Sequence, residues 1–246
     1  MKLQELYRDT RKAIDDYQLI DDGDKIAIGL SGGKDSLTLL YVLQGLRRFY
    51  PNKFDITAIS VDLGFEGMDF SPVSEICKKL EIPFQLVRTD IAQIVFQKRK
   101  EKNPCSLCAK LRKGALNQAA IDMGCNKIAY AHHKDDVIET ALLSLIYEGR
   151  FYCFPPKTHL DRTGLTVIRP MIYTLETDII GFKNKYGLPV IKNLCPKDGY
   201  SKRTYVKELI RQVNRDNPGV KERIFSAVVN GNIEDWVACT ALPPQL

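Results

Sequence analysis

Residues 25–36 read Lys25-Ile26-Ala27-Ile28-Gly29-Leu30-Ser31-Gly32-Gly33-Lys34-Asp35-Ser36. The apolar run is typical of a buried strand, and the residues from about 35 onward are typical of a helix. A glycine pair at such a turn lets backbone N–H groups approach phosphate oxygens, and the positive end of the next helix faces the same anion. The structural alternative is a tight glycine turn beside a chance lysine. The strand before and the helix after favour a phosphate-binding loop.

The side chains of this loop suit a nucleotide and its metal ion. Ser31 and Ser36 add hydroxyl donors, Lys34 brings a mobile positive charge, and Asp35 can hold Mg²⁺ beside phosphates. We therefore predict that ATP and Mg²⁺ are bound by Ser31, Gly32, Gly33, Lys34, Asp35 and Ser36, and that Lys34 and Asp35 also take part in catalysis.

Strands and helices alternate along most of the chain. Strand patterns at 25–30, 54–63, 83–88 and 127–131 are separated by helix patterns at 37–49, 72–80, 91–100, 107–123 and 137–147. This alternation predicts an α/β fold, a parallel sheet covered by helices on both faces. Ligands of such sheets bind at the carboxyl ends of the strands, where Asp62 and the segment 132–136 fall.

The chain divides into three predicted regions. Residues 1–22 form an N-terminal helix, 23–200 form the main domain with a helix inserted at the Cys-x-x-Cys pair, and 201–246 form basic C-terminal helices. We place three further helices near 175–186, 205–215 and 220–230, and expect the C-terminal ones to pack on the main domain.

A second polar group reads His132-His133-Lys134-Asp135-Asp136 and follows the fourth predicted strand. Clustered His and Asp side chains can order a nucleotide and its Mg²⁺, so His133 and Asp136 join Asp62 as candidate binding residues. The structural alternative is capping of the next helix by Asp135 or Asp136.

Cysteines form a third group, Cys105-Ser106-Leu107-Cys108, with Cys195 farther along the chain. The pair suits a metal ion, an iron–sulfur cluster or redox cycling, although two cysteines buried by chance would give the same spacing. We expect Cys108 to begin a helix. With cations nearby, that position predicts lowered thiol pKa values.

The phosphate loop resembles the PP-loop of the N-type ATP pyrophosphatases, which have an adenine-nucleotide α-hydrolase-like sheet. The resemblance implies adenylation of a carbonyl-type oxygen, loss of pyrophosphate and displacement of AMP by a nucleophile. Residues 131–136 resemble the Gly-His-(His/Asn)-x-Asp-Asp motif of the tRNA-modifying branch, with Ala131 in place of the glycine.

The segment 105–114 is similar to a signature of the tRNA 2-thiocytidine synthetase (TtcA) family, and Asn193-Leu194-Cys195 matches its third cysteine. The similarity extends to 155–157, 168–170 and 225–227. It implies a [4Fe-4S] cluster on Cys105, Cys108 and Cys195, with Cys105 and Cys108 catalytic, and Arg169 as a phosphate ligand. It also implies replacement of the C2 oxygen of an anticodon-loop cytidine by sulfur. Zinc completed by His159 and a persulfide on the cysteine pair are the alternatives.

Basic residues suggest an RNA partner. Lysine and arginine number 36 against 30 acidic residues, a net charge of +6. Two groups stand out, namely Lys98, Arg99, Lys100, Lys102, Lys110, Arg112 and Lys113 around the cysteines, and Lys207, Arg211 and Arg215 on one helix face. Together they predict a track for tRNA, although each alone is also compatible with a solvated face.

The remaining expectations concern location and partners. The apolar runs are too short to span a membrane, the N-terminus does not resemble a signal peptide, and seven cysteines argue against a disulfide framework, so we expect a cytoplasmic protein. The implied thiolation requires a sulfur donor such as a cysteine desulfurase, and a homodimer is compatible with the sequence.

Two other functions fit part of the pattern. A lysidine-type tRNA cytidine ligase shares the loop and the His-Asp-Asp segment but does not need three matched cysteines. A non-catalytic nucleotide- or RNA-binding module is the other alternative, against which the intact Lys34 and both loop glycines count.

Overall fold

A computed structural model describes residues 3–99, 104–192, 194–196, 202–231 and 236. Lys100, Lys102 and Asn193, which the sequence singled out, lie outside these ranges. The helices are α1 (Leu3–Tyr17), α2 (Lys34–Leu46), α3 (Ser71–Lys79), α4 (Pro104–Asp122), α5 (Lys134–Glu148), α6 (Glu176–Tyr186), α7 (Lys202–Asp216) and α8 (Val220–Asn230). The strands are β1 (Asp24–Gly29), β2 (Phe54–Asp62), β3 (Phe84–Arg88), β4 (Lys127–Ala129), β5 (Lys157–Leu160) and β6 (Leu165–Ile168).

The strands form one sheet in the order β3-β2-β1-β4-β6-β5. Every neighbouring pair is parallel except β5 and β6, which form an antiparallel hairpin at one edge. The mostly parallel sheet is confirmed. The hairpin was not predicted, because each of its strands has four residues and such short runs carry little periodic signal.

Helices cover both faces of the sheet, as predicted, because the strands send alternate side chains to two separate cores. Ile26 and Ile28 of β1 pack in the larger core, together with side chains from every described α-helix except α4. Ala27 faces the opposite way and packs with Ile59, Leu116 and Ala120, of which the last two belong to α4. A buried Leu116 contributes about 1.5–3 kcal/mol relative to an exposed one, which fixes α4 against the sheet.

α1 is part of the larger core. Its buried side chains include Leu6, Ala13, Ile14 and Tyr17, which share one face of the helix. α7 and α8 pack against α5 through side chains such as Val206 and Val228. The division of the chain into three regions stays a prediction.

The order of the strands places the site. The chain passes from β1 to β2 on one side, and β4 lies on the other side of β1. In sheets of this kind the crevice at the carboxyl ends of two such central strands binds ligands. The loops that follow β1 and β4 are the phosphate loop and the His-Asp-Asp segment. The topology therefore brings these two motifs to one crevice.

A buried ion pair lies at the opposite, amino ends of the strands. The Lys127 ammonium lies 2.6 Å from Asp24 Oδ2 and 2.7 Å from Asp21 Oδ2, and it also donates to the Leu19 carbonyl oxygen. Lys127 and Asp24 are both buried. Within the described ranges, no helix combines the length and apolar character needed to cross a membrane.

Candidate functional site

The phosphate loop ends in a helix start that lacks a side-chain cap. The N-cap residue of α2 is Gly33, which has no side chain that could cap the helix. The first backbone N–H groups of a helix have no partner within the helix, so those of α2 can bind an anion. Gly32 adopts a φ of +78°, a conformation that favours glycine. The Ser31 and Ser36 hydroxyl oxygens lie 3.1 Å apart and order the turn.

The ammonium group of Lys34 lies between two carboxylates. Its Nζ is 2.9 Å from Asp35 Oδ1 and 3.2 Å from Glu176 Oε1. Burial alone would lower the pKa of Lys34, but these two carboxylates raise it. Burial would raise the pKa of Glu176, but Lys207, at 2.7 Å, and Lys34 lower it to about 2. Lys34 is therefore firmly cationic, as a phosphate ligand must be.

His133 joins the second motif to the first. It is the N-cap of α5, where its Nδ1 accepts a hydrogen bond from the Asp136 N–H and its own N–H donates to Asp136 Oδ2. In the neutral ring the proton therefore lies on Nε2. Nε2 lies 3.4 Å from Asp136 Oδ2 and 3.7 Å from Asp35 Oδ1. The capping alternative is thus partly realised, but through His133 together with Asp136.

A network of charges behind the loop was missed by the sequence analysis. The Glu176 N–H donates to Asp135 Oδ2, and Lys221 of α8 contacts the other oxygen of the same carboxylate. Arg203 of α7 contacts Asp136 and Glu139. These partners come from distant helices and no local motif marks them, so only the fold reveals them.

The cysteine pair lies inside α4, at its start. The helix begins at Pro104, so the expectation that Cys108 begins it is wrong; Cys105 occupies the first turn. The expected lowering of the thiol pKa is also wrong for Cys108. Burial raises that pKa, Arg112 lowers it, and negative charge on Cys195 or Cys105 raises it further. The interaction with both other thiols places Cys105, Cys108 and Cys195 in one neighbourhood.

The donor set fits a cluster better than a single metal ion. Among the residues that the structure describes, no three His, Cys, Asp or Glu side chains converge on a point where one ion could bind. Structural zinc is usually held by four protein ligands, whereas three thiolates could hold a cluster with one iron left open. His159, the residue considered for zinc, lies on the edge hairpin, 3.3 Å from the Thr166 hydroxyl. We therefore retain the three cysteines as candidate cluster ligands.

A backbone contact connects the phosphate loop to the segment of the third cysteine. The Ile191 N–H donates to the Gly32 carbonyl oxygen at 3.0 Å. A Cβ at position 32 would lie 2.8 Å from the Ile191 side chain, so glycine is also required for this close approach. Cys195 follows Ile191 by four residues. The loop and this cysteine are thus joined through a short stretch of chain.

Among the described residues, the hydrogen bonds of the Arg169 guanidinium go to Pro155 and Thr158 rather than to the phosphate loop. This group is buried, where it donates to the Pro155 carbonyl oxygen and the Thr158 hydroxyl, and burial lowers its pKa to about 10. Asp62 lies at the end of β2, beside β1, and its carboxylate accepts the Gly64 N–H at 2.9 Å. The binding roles of both residues stay predictions.

The basic residues have mixed surroundings. Around the cysteines, Lys98, Arg99, Lys110, Arg112 and Lys113 are exposed. On α7, Lys207 is paired with Glu176 and Arg211 with Glu208, so that face is less free than its spacing suggested. The cations nearest the cysteines therefore make the better surface for a polyanion.

Comparison with known proteins gives consistent matches. Residues 2–213 match the family model of the PP-loop domain. A tRNA-cytidine(32) 2-sulfurtransferase of Syntrophotalea carbinolica is 40% identical over 228 residues, which cover 92% of this chain and 87% of that protein. The protein of the same name from Alcanivorax borkumensis is 39% identical, over a match that covers 93% of this chain and 82% of that protein.

Solved structures agree. The U34-tRNA thiolase NcsA from Methanococcus maripaludis, determined with its [4Fe-4S] cluster, superposes with a TM-score of 0.78 at 26% identity, over 94% of this chain and 80% of that one. The NH3-dependent NAD synthetase from Campylobacter jejuni has a TM-score of 0.51 at 14% identity, covering 100% of this chain and 99% of its own, and shares the fold alone.

Proposed function

The chain belongs to the PP-loop family and, within it, to the tRNA-cytidine(32) 2-sulfurtransferases, and we propose that it replaces the C2 oxygen of cytidine 32 in tRNA by sulfur at the expense of ATP. It is thus a tRNA sulfurtransferase that carries out ATP-dependent tRNA thiolation. One observation above all supports thiolation: the uncapped phosphate loop is connected through Gly32 and Ile191 to the segment of Cys195, which lies in one neighbourhood with Cys105 and Cys108.

In the first step ATP activates the base. The cytidine C2 oxygen attacks the α-phosphorus, a bond to the base oxygen forms, and pyrophosphate leaves. The first N–H groups of α2 and the Lys34 ammonium bind the phosphates, while Asp35 and Asp136, which both lie near His133 Nε2, would offer carboxylate ligands for Mg²⁺. The His133 ring lies beside both carboxylates, with Nε2 at 3.4 Å from Asp136 Oδ2 and 3.7 Å from Asp35 Oδ1.

In the second step sulfur replaces the activated oxygen. Hydrosulfide attacks C2, the C2–O bond breaks, AMP leaves with the oxygen, and loss of the sulfur-bound proton gives 2-thiocytidine, without net oxidation or reduction. A [4Fe-4S] cluster on Cys105, Cys108 and Cys195 would supply the place where this sulfur is held. The exposed position of Cys105 at the start of α4 leaves that side of the site open to a partner.

The chemistry implies further partners. The hydrosulfide must come from a sulfur donor, for which we propose a cysteine desulfurase, and a tRNA substrate supports a location in the cytoplasm. A homodimer would double the basic surface that is offered to one tRNA.

The test is anaerobic reconstitution with iron and sulfide, followed by incubation with ATP and unmodified tRNA. We expect 2-thiocytidine in the digested tRNA, with AMP and pyrophosphate in equal amounts. Cys195→Ala should lose iron and thiolation but still bind ATP, and Lys34→Ala should lose ATP binding and thiolation. Cys125→Ala, a cysteine between α4 and β4, is the control that should keep iron and activity.

Two results would contradict the proposal. If the wild type binds no iron yet forms AMP when tRNA and an amino acid are present, the lysidine-type ligase is the better assignment. If neither AMP nor pyrophosphate forms with tRNA, the chain is a binding module without turnover.

A further inference from the structure

The end of α5 carries an unusual exposed apolar surface. Ser144 is buried, but after it Leu145, Ile146, Tyr147, Phe151 and Tyr152 are each 40–47% exposed. We call residues 145–152 the aromatic surface. Single exposed apolar residues are ordinary, whereas five within eight positions mark a contact site.

Two cations lie on the rings of this surface. Lys202 Nζ, at the start of α7, lies 4.4 Å from the centre of the Tyr147 ring, and the Arg150 guanidinium lies 4.7 Å from the centre of the Tyr152 ring. Arg150 also pairs with Glu148, and all three charged groups are exposed. Two exposed rings, five residues apart in the chain, each have a cation beside them, and rings with nearby cations are what proteins use to hold unpaired bases together with their phosphates.

The aromatic surface leads back to the site. After Tyr152 the chain turns toward the beginning of α5, where the Cys153 thiol lies 3.6 Å from the Val137 carbonyl oxygen. The next residue, Phe154, has its ring 4.6 Å from that of His132, which directly precedes His133. A single strand of RNA lying on Tyr147 and Tyr152 would thus point at the crevice.

We propose that the aromatic surface binds unpaired bases of the tRNA that flank the target nucleotide. This rests on the proposed function. Stacking on Tyr147 and Tyr152 supplies sequence-tolerant affinity, and Lys202 and Arg150 contact the adjoining phosphates. A second copy of the chain is the competing occupant. It would have to bury the Lys202 ammonium and the Glu148 carboxylate, and lysine and glutamate are depleted at protein interfaces.

The test measures the affinity for unmodified tRNA over a range of salt concentrations. Tyr147→Ala and Tyr152→Ala should each weaken binding roughly 5- to 150-fold, with the slope of log K against log[salt] unchanged, because stacking releases no counterions. Lys202→Ala should reduce that slope by about 1. Tyr186→Ala is the matched control, since that ring is 48% exposed and lies 5.5 Å from Lys185, but near α1 at the end of α6.

The outcomes separate the surface from the function. If wild type and Tyr186→Ala bind tRNA and both aromatic variants bind it equally well, the aromatic surface is not the binding site. If Tyr147→Ala and Tyr152→Ala instead convert a dimer to a monomer in sedimentation, without loss of affinity per chain, the occupant is a second copy. If the wild type does not bind tRNA, the proposed function fails, and the surface with it.

Discussion

At the scale of single residues, Lys34 shows how the phosphate loop is kept ready. Its ammonium group has carboxylate partners in Asp35 and Glu176, and Glu176 is held in turn by Lys207. Incoming phosphates replace one set of negative charges around Lys34 with another. The lysine therefore stays oriented toward the crevice without nucleotide, and less side-chain entropy is lost on binding.

Glu176 should impose a pH dependence on stability. Its pKa lies near 2 in the folded protein against an ordinary 4.5, so its ion pairs stabilise the fold above about 4.5 and are lost as the pH falls toward 2. Glu176→Gln should lower the free energy of unfolding near neutral pH by about 1–3 kcal/mol. Urea unfolding at several pH values should show the gap to wild type shrinking below pH 4.5.

Glu208→Gln is the control for this experiment. Glu208 also pairs with a cation, Arg211, but both side chains are well exposed, so its loss should change stability by no more than about 1 kcal/mol. A gap between Glu176→Gln and wild type that stays constant down to pH 2 would contradict the role given to Glu176.

Gly32→Ala should disturb two sites at once. An alanine at φ +78° costs about 1–2 kcal/mol, and its methyl group would also displace Ile191 and the segment that carries Cys195. We expect lower stability in urea and, after anaerobic reconstitution, less iron per chain. Gly124→Ala is the matched control, because Gly124 has a φ of +70° but open space around it. This variant should lose stability through its strained backbone but keep the normal amount of iron per chain. Equal iron in the two variants would argue against the contact.

Among the elements, the two ends of the parallel strands have different roles. The carboxyl ends of the strands carry the loops of the site. At their amino ends, Lys127 of β4 forms ion pairs with Asp24 of β1 and with Asp21. Lys127→Met should cost about 3–5 kcal/mol, because Asp24 keeps a buried charge without its cation. The ATP affinity of the folded fraction, measured by calorimetry, should not change.

Arg47→Met provides the comparison for that substitution. Arg47 and Asp55 are 3.9 Å apart, with Asp55 exposed and Arg47 partly exposed, so removal of the pair should cost no more than about 1 kcal/mol. If Lys127→Met were equally mild, the buried pair would be dispensable. If it abolished ATP binding by folded protein, the two ends of the strands would not be independent.

Elements with a strong local pattern were predictable from the sequence. α8 has the predicted bounds, because its apolar residues repeat at helical spacing, and β1 and β2 were found within a residue or so, because their runs are apolar and β-branched. The start of α4 was placed three residues late, since Pro104 is a good first helical residue that the cysteine motif obscured. The partners of the site, Glu176, Arg203 and Lys221, depend on how α6, α7 and α8 pack, and no local pattern encodes that packing.

In the molecule as a whole, the groups proposed for nucleotide and sulfur chemistry come from three different parts of the fold. α2 offers its positive end to phosphates, whereas α4, on the other face of the sheet, carries Cys105 and Cys108. Cys195 comes from a third part, the segment after α6. The proposed site therefore exists only when the complete chain is folded, and an isolated piece with the phosphate loop should bind ATP without retaining iron.

The bond between Ile191 and Gly32 has a thermodynamic consequence for this arrangement. If nucleotide on the loop stabilises the position of Cys195, it tightens the binding of iron, and linkage then requires iron to tighten nucleotide binding by the same equilibrium factor. The order in which the enzyme is loaded would not change the final state, because both routes close the same cycle. A single hydrogen bond between two backbone segments would thus couple the affinity of the enzyme for its iron to its affinity for ATP.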